Sequence, residues 1–201
     1  LMDASYLKEL VAIAKEVGAY IFSDEVYRNF DHPAPSIVDL YDKGITVNSL
    51  SKTYSIPGIR VGWVASNAEV ASILRDYRDY TMICAGVFDD MVATLVLKNK
   101  EAILERNRKI VTENIALMDA WIADEPKASW IRPASVSTSF VKLEVTRPIE
   151  DFALELLQDY GVLVVPGNRF DKESHVRIGY CCDKEVLQKG LEKLSQFLHK
   201  C

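Results

Sequence analysis

The sequence lacks the features that mark a metal site, a nucleic-acid surface or a membrane span. Its four cysteines form no CxxC pair, and its three histidines are isolated from one another and from any carboxylate cluster. The net charge is −5 and no run of lysine and arginine is present, which argues against a nucleic-acid partner. No apolar stretch approaches the roughly 20 residues of a membrane helix. We therefore predict a cytoplasmic protein with reduced thiols and without a metal ion, a nucleic-acid partner or a membrane anchor.

The first part of the chain alternates helical periodicity with short apolar runs, a pattern typical of an α/β fold. Apolar residues recur at helical spacing from Leu7 to Val17, with Asp3 placed to cap this helix and Gly18 to end it. The next run, Ala19–Phe22, predicts a strand buried on both faces. The further predicted elements are strands at Ile45–Asn48 and Val61–Ala65, a helix opened by Ser66 and Glu69 with an apolar face of Val70, Ile73, Leu74 and Tyr77, and a helix at Asp89–Leu97.

The rest of the chain predicts a second domain. A long helix, Glu101–Ile122, would extend roughly 33 Å and is long enough to link two domains. The elements expected after it are strands at Phe140–Val145, Val162–Val165 and His175–Tyr180, a helix that begins with Pro148 and ends at Gly161, and a last helix with Leu187, Leu191, Leu194 and Leu198 on one side. We predict one domain over residues 1–118 and a small α+β domain over residues 119–201.

Polar side chains cluster at the ends of the strands predicted in the first domain. Asp24 follows one strand, and Ser49, Ser51 and Lys52 follow the next. Ligands bind at that edge of an open α/β sheet, and Arg60, at the start of the third strand, adds a second cation. Hydroxyls beside a lysine and an arginine suit a phosphate, and a lysine near another cation is a usable nucleophile. The alternative is that both cations are ordinary surface charges on loops.

Motifs around these residues resemble those of class I/II aminotransferases, which use pyridoxal 5′-phosphate (PLP). The strings Ser49–Lys52 and Gly58–Gly62 resemble the PLP-attachment signature of that family. Ser23–Tyr27 resembles its D-E-x-Y segment, Pro166–Phe170 its P-G-x-x-F loop and His175–Gly179 its R-[IL]-[GS] strand. The motifs occur in the family's order and cover the whole chain. The resemblance implies fold type I: a mixed, mostly parallel sheet, incomplete here, followed by a small α+β domain.

The resemblance also implies roles at the cofactor ring. Lys52 would form the internal aldimine with PLP and, once released by substrate, would move the proton between Cα and the cofactor. Asp24 would pair with the pyridine nitrogen and keep it protonated, and Tyr27 would donate its hydroxyl to the phenolic oxygen. Asp24 as a turn cap and Tyr27 as a packing residue are the alternatives.

The remaining implied roles concern the phosphate and the substrate. Ser49, Ser51 and Arg60 would hold the phosphate, and Arg177 would grip the substrate α-carboxylate with two parallel hydrogen bonds. A structural Ser49 and a salt-bridged Arg177 are the alternatives.

The activity implied by the resemblance is transamination between an L-amino acid and a 2-oxo acid in amino-acid metabolism, by a homodimer with shared active sites. A PLP-dependent β-lyase, the aminotransferase-like body of a transcription regulator and a non-catalytic fragment stay open as alternatives. The chain begins with Leu1, and the family's first half of the cofactor site has no counterpart in it. We therefore expect these residues alone not to form a competent active site.

Overall fold

The computed structural model describes residues 2–28, 35–134 and 136–200, which contain seven α-helices and seven β-strands. The chain forms two compact units, Leu1–Asn107 and Arg108–Cys201. The boundary predicted at Met118 lies further along the same long helix. The helices are α1 (Ala4–Val17), α2 (Ile37–Leu40), α3 (Ala68–Thr81), α4 (Val87–Lys98), α5 (Lys100–Asp124), α6 (Ile149–Tyr160) and α7 (Lys184–Leu198). The strands are β1 (Ile21–Asp24), β2 (Gly44–Ser49), β3 (Gly62–Ala65), β4 (Ala128–Trp130), β5 (Thr138–Leu143), β6 (Val165–Pro166) and β7 (His175–Gly179).

Helix α1 begins and ends where its sequence predicts. The Asp3 carboxylate accepts from the backbone N–H of Tyr6 at 2.8 Å, and Gly18 ends the helix in the left-handed region at φ 66°. Its buried stripe contains Val11 and Ala14, which pack with Ile37 and Tyr41 in one apolar cluster. The N-cap, the glycine stop and the apolar stripe all agree with one another, so the prediction of this helix is confirmed.

The sheet of the first unit has three strands in the order β1-β2-β3. Strand β1 runs parallel to β2, whereas β3 runs antiparallel to it. Gly62 lies opposite Ser49 in this register, and a Cβ at Gly62 would lie 2.7 Å from the carbonyl oxygen of Asn48. Only glycine therefore allows β3 to approach the end of β2 so closely.

Three expectations for this unit were wrong. Within the part of the chain that the structure describes, strand β1 is not buried on both faces, because it lies at the edge of the sheet and Phe22 is 68% exposed. Helix α3 is capped by Asn67, whose side chain accepts from the N–H of Val70 at 2.9 Å, and not by Ser66. The apolar face of α3 is not buried within the described residues either, since Tyr77 is 65% exposed.

The second unit is a small α+β domain. Its four-stranded sheet has the order β4-β5-β7-β6, with antiparallel pairing throughout. Helices α6 and α7 pack through Phe152 and Phe197, whose ring centroids lie 4.8 Å apart. The four leucines predicted to line the last helix are all buried: Leu187, Leu191, Leu194 and Leu198. Pro148 is the N-cap of α6 instead of its first residue. Of the strand predicted at Val162–Val165, only Val165 is in a strand, the two-residue β6.

Among the residues that the structure describes, none of the helices combines the length and apolar character needed to cross a bilayer.

Candidate active site

The predicted site residues of the first unit lie along one edge of its sheet. Asp24 is the last residue of β1 and Ser49 is the last residue of β2. Because β3 is antiparallel, its first residue, Gly62, is paired with Ser49, so Arg60 enters the sheet at the same edge. The sequence placed Asp24 and Ser49 just beyond their strands, and the structure extends each strand to include them.

Lys52 lies on a loop that is fixed on both sides. Leu50 is fully buried against Ala93 and Val96, and Thr53 is 1% exposed. The Leu50 N–H donates to the carbonyl of Val61 at 3.1 Å, which closes the loop at its base. Lys52 itself is exposed. An exposed amine is thereby carried between buried, hydrogen-bonded residues, an arrangement that suits a lysine with a chemical task.

Ser49, Ser51 and Arg60 line one open cleft of about 810 Å³. The Ser49 hydroxyl accepts from the N–H of Ser51 at 3.2 Å, so the two hydroxyl-bearing residues are held side by side. Trp63 and Tyr77 contribute apolar surface to the same cleft. Sequence reasoning did not assign these two aromatic residues to the site. The available signal for Trp63 was its place in the predicted strand that follows Arg60.

The backbone is strained next to the cations. Arg60 has φ 52° and Ser55 has φ 58°, left-handed values that favour glycine. Such conformations cost of order 1–3 kcal/mol each and are concentrated at functional sites. The guanidinium of Arg60 donates to the carbonyl of Pro57 at 2.8 Å, so the end of this side chain is held against the turn Pro57–Ile59.

Asp24 and Tyr27 lie at the turn that follows β1. One oxygen of the exposed Asp24 carboxylate accepts from the N–H of Val26 at 3.1 Å, so this side chain also caps the turn. Tyr27 is half-buried in the same turn. This hydrogen bond fixes the carboxylate at the end of β1. Asp24 therefore does act as a turn cap, which is the alternative role that the sequence left open for it.

Glu25 is a buried carboxylate that sequence reasoning did not select. It is 9% exposed and accepts from the Ser36 hydroxyl at 2.8 Å and from the Ile37 N–H at 2.9 Å. The Arg28 guanidinium lies 3.6 Å away. Glu25 thereby ties the turn after Asp24 to the start of α2. The signal in the sequence was that Glu25 belongs to the segment Ser23–Tyr27, which resembles the family's D-E-x-Y motif.

Arg177 belongs to the second unit, where it is exposed on β7. Its guanidinium carbon lies 5.6 Å from the ring centroid of Phe170, and that ring meets Phe140 edge to face at 5.7 Å. The three side chains line a shallow hollow of about 280 Å³. Phe170 comes from the P-G-x-x-F loop, whose Gly167 admits no side chain because a Cβ would lie 2.5 Å from the carbonyl oxygen of His175.

In the described part of the chain, no three His, Cys, Asp or Glu side chains are grouped as a metal site would require. His32 lies outside the described residues.

The sequence matches the family model described as "Aminotransferase class I and II" over residues 1–194. It is 28% identical to a probable N-acetyl-LL-diaminopimelate aminotransferase of Bacillus subtilis, an alignment that covers 96% of this chain and 51% of that protein. It is 27% identical to the aspartate aminotransferase of Pyrococcus abyssi over 96% of this chain and 52% of the relative. The chain thus spans about half the length of the curated relatives it matches.

Solved structures give the same result for the fold. A PLP-dependent aminotransferase from Streptococcus suis is 66% identical, with a TM-score of 0.97, over 100% of this chain and 54% of that one. The aspartate aminotransferase of Thermotoga maritima is 26% identical, with a TM-score of 0.87, over 99% of this chain and 53% of its own. The predicted fold, the later portion of the fold type I architecture, is confirmed.

Proposed function

We propose, from the premise that this chain belongs to the class I and II aminotransferase family, that Lys52 holds pyridoxal 5′-phosphate in a protein that exchanges an amino group between an L-amino acid and a 2-oxo acid. The observation that carries the proposal is that Asp24 and Ser49 end two neighbouring parallel strands, while Ser49 shares one cleft with Arg60. Lys52 lies on the loop between these two cleft residues. An anionic, aromatic, aldehyde-bearing cofactor needs each of these groups.

The chemistry of the side chains fits this cofactor. A phosphate requires cationic and neutral donors, and the cleft brings a guanidinium together with two hydroxyl-bearing residues, Ser49 and Ser51. A protonated ring nitrogen requires a carboxylate, and Asp24 offers an exposed one at the same edge. An aldehyde requires an amine, and Lys52 presents one on a loop whose neighbouring residues are buried.

When bound, the cofactor would supply an electron-withdrawing ring that stabilises negative charge at the substrate Cα. The Asp24 carboxylate would keep the proton on the ring nitrogen, and Tyr27 would donate its hydroxyl to the ring oxygen. Lys52 would first hold the cofactor through Nζ and, once released by the substrate, would carry the proton from Cα to the carbon atom of the cofactor that bears its aldehyde. Arg177 would bind the substrate α-carboxylate with its planar fork, which selects one orientation of the amino acid.

The exposed apolar side chains of the first unit support a homodimer as the form in which this protein acts. Tyr80, Phe88 and Met91 are 88%, 83% and 63% exposed. Apolar surface of this kind on α3 and α4 is typical of an interface. We also propose a cytoplasmic location, because Cys84 and Cys182 form no disulfide bond. The concentration dependence of the sedimentation coefficient tests the dimer.

The function is tested by borohydride reduction of the intact, PLP-loaded protein followed by peptide mapping. We expect a pyridoxyl group on Lys52, its absence from a Lys52→Arg variant, and its retention in the control Lys8→Arg. A pyridoxyl group on another lysine would contradict the assignment.

A half-reaction distinguishes transamination from elimination. With an L-amino acid alone, the loaded protein should release one equivalent of 2-oxo acid and then stop until a second 2-oxo acid is added. Continuous release of pyruvate and ammonia from a cysteine conjugate would instead indicate a β-lyase.

A further inference from the structure

Thr53, the residue directly after Lys52, is bound to the turn that carries Tyr27. Its hydroxyl lies 2.9 Å from the carbonyl oxygen of Val26 and 2.9 Å from that of Arg28, and its backbone N–H donates to Val26 at 3.4 Å. With 1% of its surface exposed, Thr53 makes these bonds out of contact with water. One side chain thus bridges the two segments that the proposed chemistry must keep in register.

Asn107 holds the same residue from the opposite side. Its side-chain amide donates to the carbonyl of Thr53 at 2.9 Å, and Asn107 is 3% exposed. The Asn107 side-chain oxygen accepts from Arg106 at 3.0 Å, which sets the direction of the amide. The backbone of Thr53 is therefore fixed on both sides, and the adjacent backbone of Lys52 has little freedom to shift.

Burial alone does not account for these bonds. Thr46, on the central strand of the same sheet, is 4% exposed, and its hydroxyl has no hydrogen-bond partner among the described residues. A buried threonine in this unit can therefore be tolerated as an apolar side chain. Thr53, by contrast, places its hydroxyl against two carbonyl groups of the turn that follows Asp24.

We propose that Thr53 is a positioning residue that fixes Lys52 relative to Asp24 and Tyr27, with Asn107 orienting Thr53. The inference rests on the proposed role of Lys52. Because the Thr53 hydroxyl is bound to the turn that follows β1, the lysine loop is held at a fixed distance from that turn. A displacement of about 1 Å at a reacting group can lower the rate about a hundredfold. Thr53 acts through Lys52 and does not itself touch the reacting atoms.

The test compares Thr53→Val, which keeps the shape and loses the hydroxyl, with Thr53→Ser, which keeps the hydroxyl, and with Thr46→Val as the matched control. In the protein without cofactor, the amide of Ser55, which donates to the carbonyl of Lys52 at 2.9 Å, should exchange with deuterium at least tenfold faster in Thr53→Val. In the loaded protein, the pH midpoint of the visible absorption band should move. The kcat should fall about 10- to 100-fold, with a change in KM of less than threefold. Thr53→Ser and Thr46→Val should match the parent.

The following results would contradict the inference. It is overturned if Thr53→Val keeps the parental pH midpoint and kcat, or if Thr53→Ser is as impaired as Thr53→Val, because packing would then be responsible. Should Thr53→Val not fold, Asn107→Leu replaces it, and an unchanged pH midpoint in that variant overturns the inference. All of these variants are made in the intact protein, and an intact parent protein whose Lys52 is not labelled after borohydride reduction refutes the proposed function itself.

Discussion

The attachment of α2 through Glu25 gives the most direct prediction of stability. A four-residue helix cannot persist alone in water, so α2 depends on its tertiary contacts. Glu25→Ala removes the acceptor for the Ser36 hydroxyl and the Ile37 N–H and leaves Ile37, which is fully buried, with an unsatisfied amide. An unsatisfied buried donor costs about 1–3 kcal/mol, and the loss of the charge adds to this. We expect a total of about 3 kcal/mol, which is roughly a hundredfold in local opening.

Native-state hydrogen exchange at Tyr41 measures this effect without depending on global unfolding of a two-unit chain. The Tyr41 N–H donates to the carbonyl of Ile37 at 3.0 Å and reports on α2. Its exchange should accelerate roughly a hundredfold in Glu25→Ala and about fivefold in Glu25→Gln, which retains an acceptor. The exposed Glu16 provides the control, Glu16→Gln, with no expected change. Unchanged Tyr41 exchange in Glu25→Ala would show that apolar packing alone holds the helix.

Three further predictions test separate features. Arg177→Lys keeps the charge but loses the planar fork, so the KM for the amino acid should rise at least tenfold while PLP stays bound; loss of PLP with unchanged KM refutes the role. Gly62→Ala puts a Cβ 2.7 Å from the carbonyl oxygen of Asn48, so a denaturant titration should show the free energy of unfolding lowered by about 1–3 kcal/mol. The control Gly190→Ala, which has open space around its Cβ, should not lower it. Burial raises the pKa of the Cys182 thiol, so less of this thiol is in the reactive thiolate form at pH 8. Iodoacetamide should therefore alkylate Cys182 more slowly than the exposed Cys84. Mass spectrometry of the peptides measures both rates, and equal rates would contradict the prediction.

Local signals predicted the elements that local physics controls. Helix α1 is specified by a cap, an apolar stripe and a glycine stop within 18 residues, and all three act as the sequence indicates. Helix α2 was not predicted, because its stability comes from Glu25, which precedes it by 12 positions. Ser66 and Glu69 have the spacing of a capping box, but Asn67, one residue later, offers a competing cap and forms the bond.

The predicted site shows the same division between local and distant information. The motifs identified Lys52, Asp24 and Arg60 because each belongs to a short string of fixed residue types. Thr53 and Asn107 are 54 residues apart, and a hydrogen bond between them leaves no mark on any local pattern. The burial of β1 could not be judged from its composition either, since an apolar run does not say how many strands or helices will cover it.

Because β3 runs antiparallel to β2, the loops that connect the strands of the first sheet lie at its two opposite ends. The chain segments that carry Lys52 and Arg60 occur at one edge, while the starts of β1 and β2 and the end of β3 are at the other, where Ile21 pairs with Gly44 and Thr46 with Ala65. The six residues of β2 separate these edges by roughly 20 Å. A fluorescent dye attached through Asp42→Cys, an exposed position two residues before β2, would therefore lie about 20 Å from Ser49, and this end of the sheet is suited to labels that must stay away from the cleft.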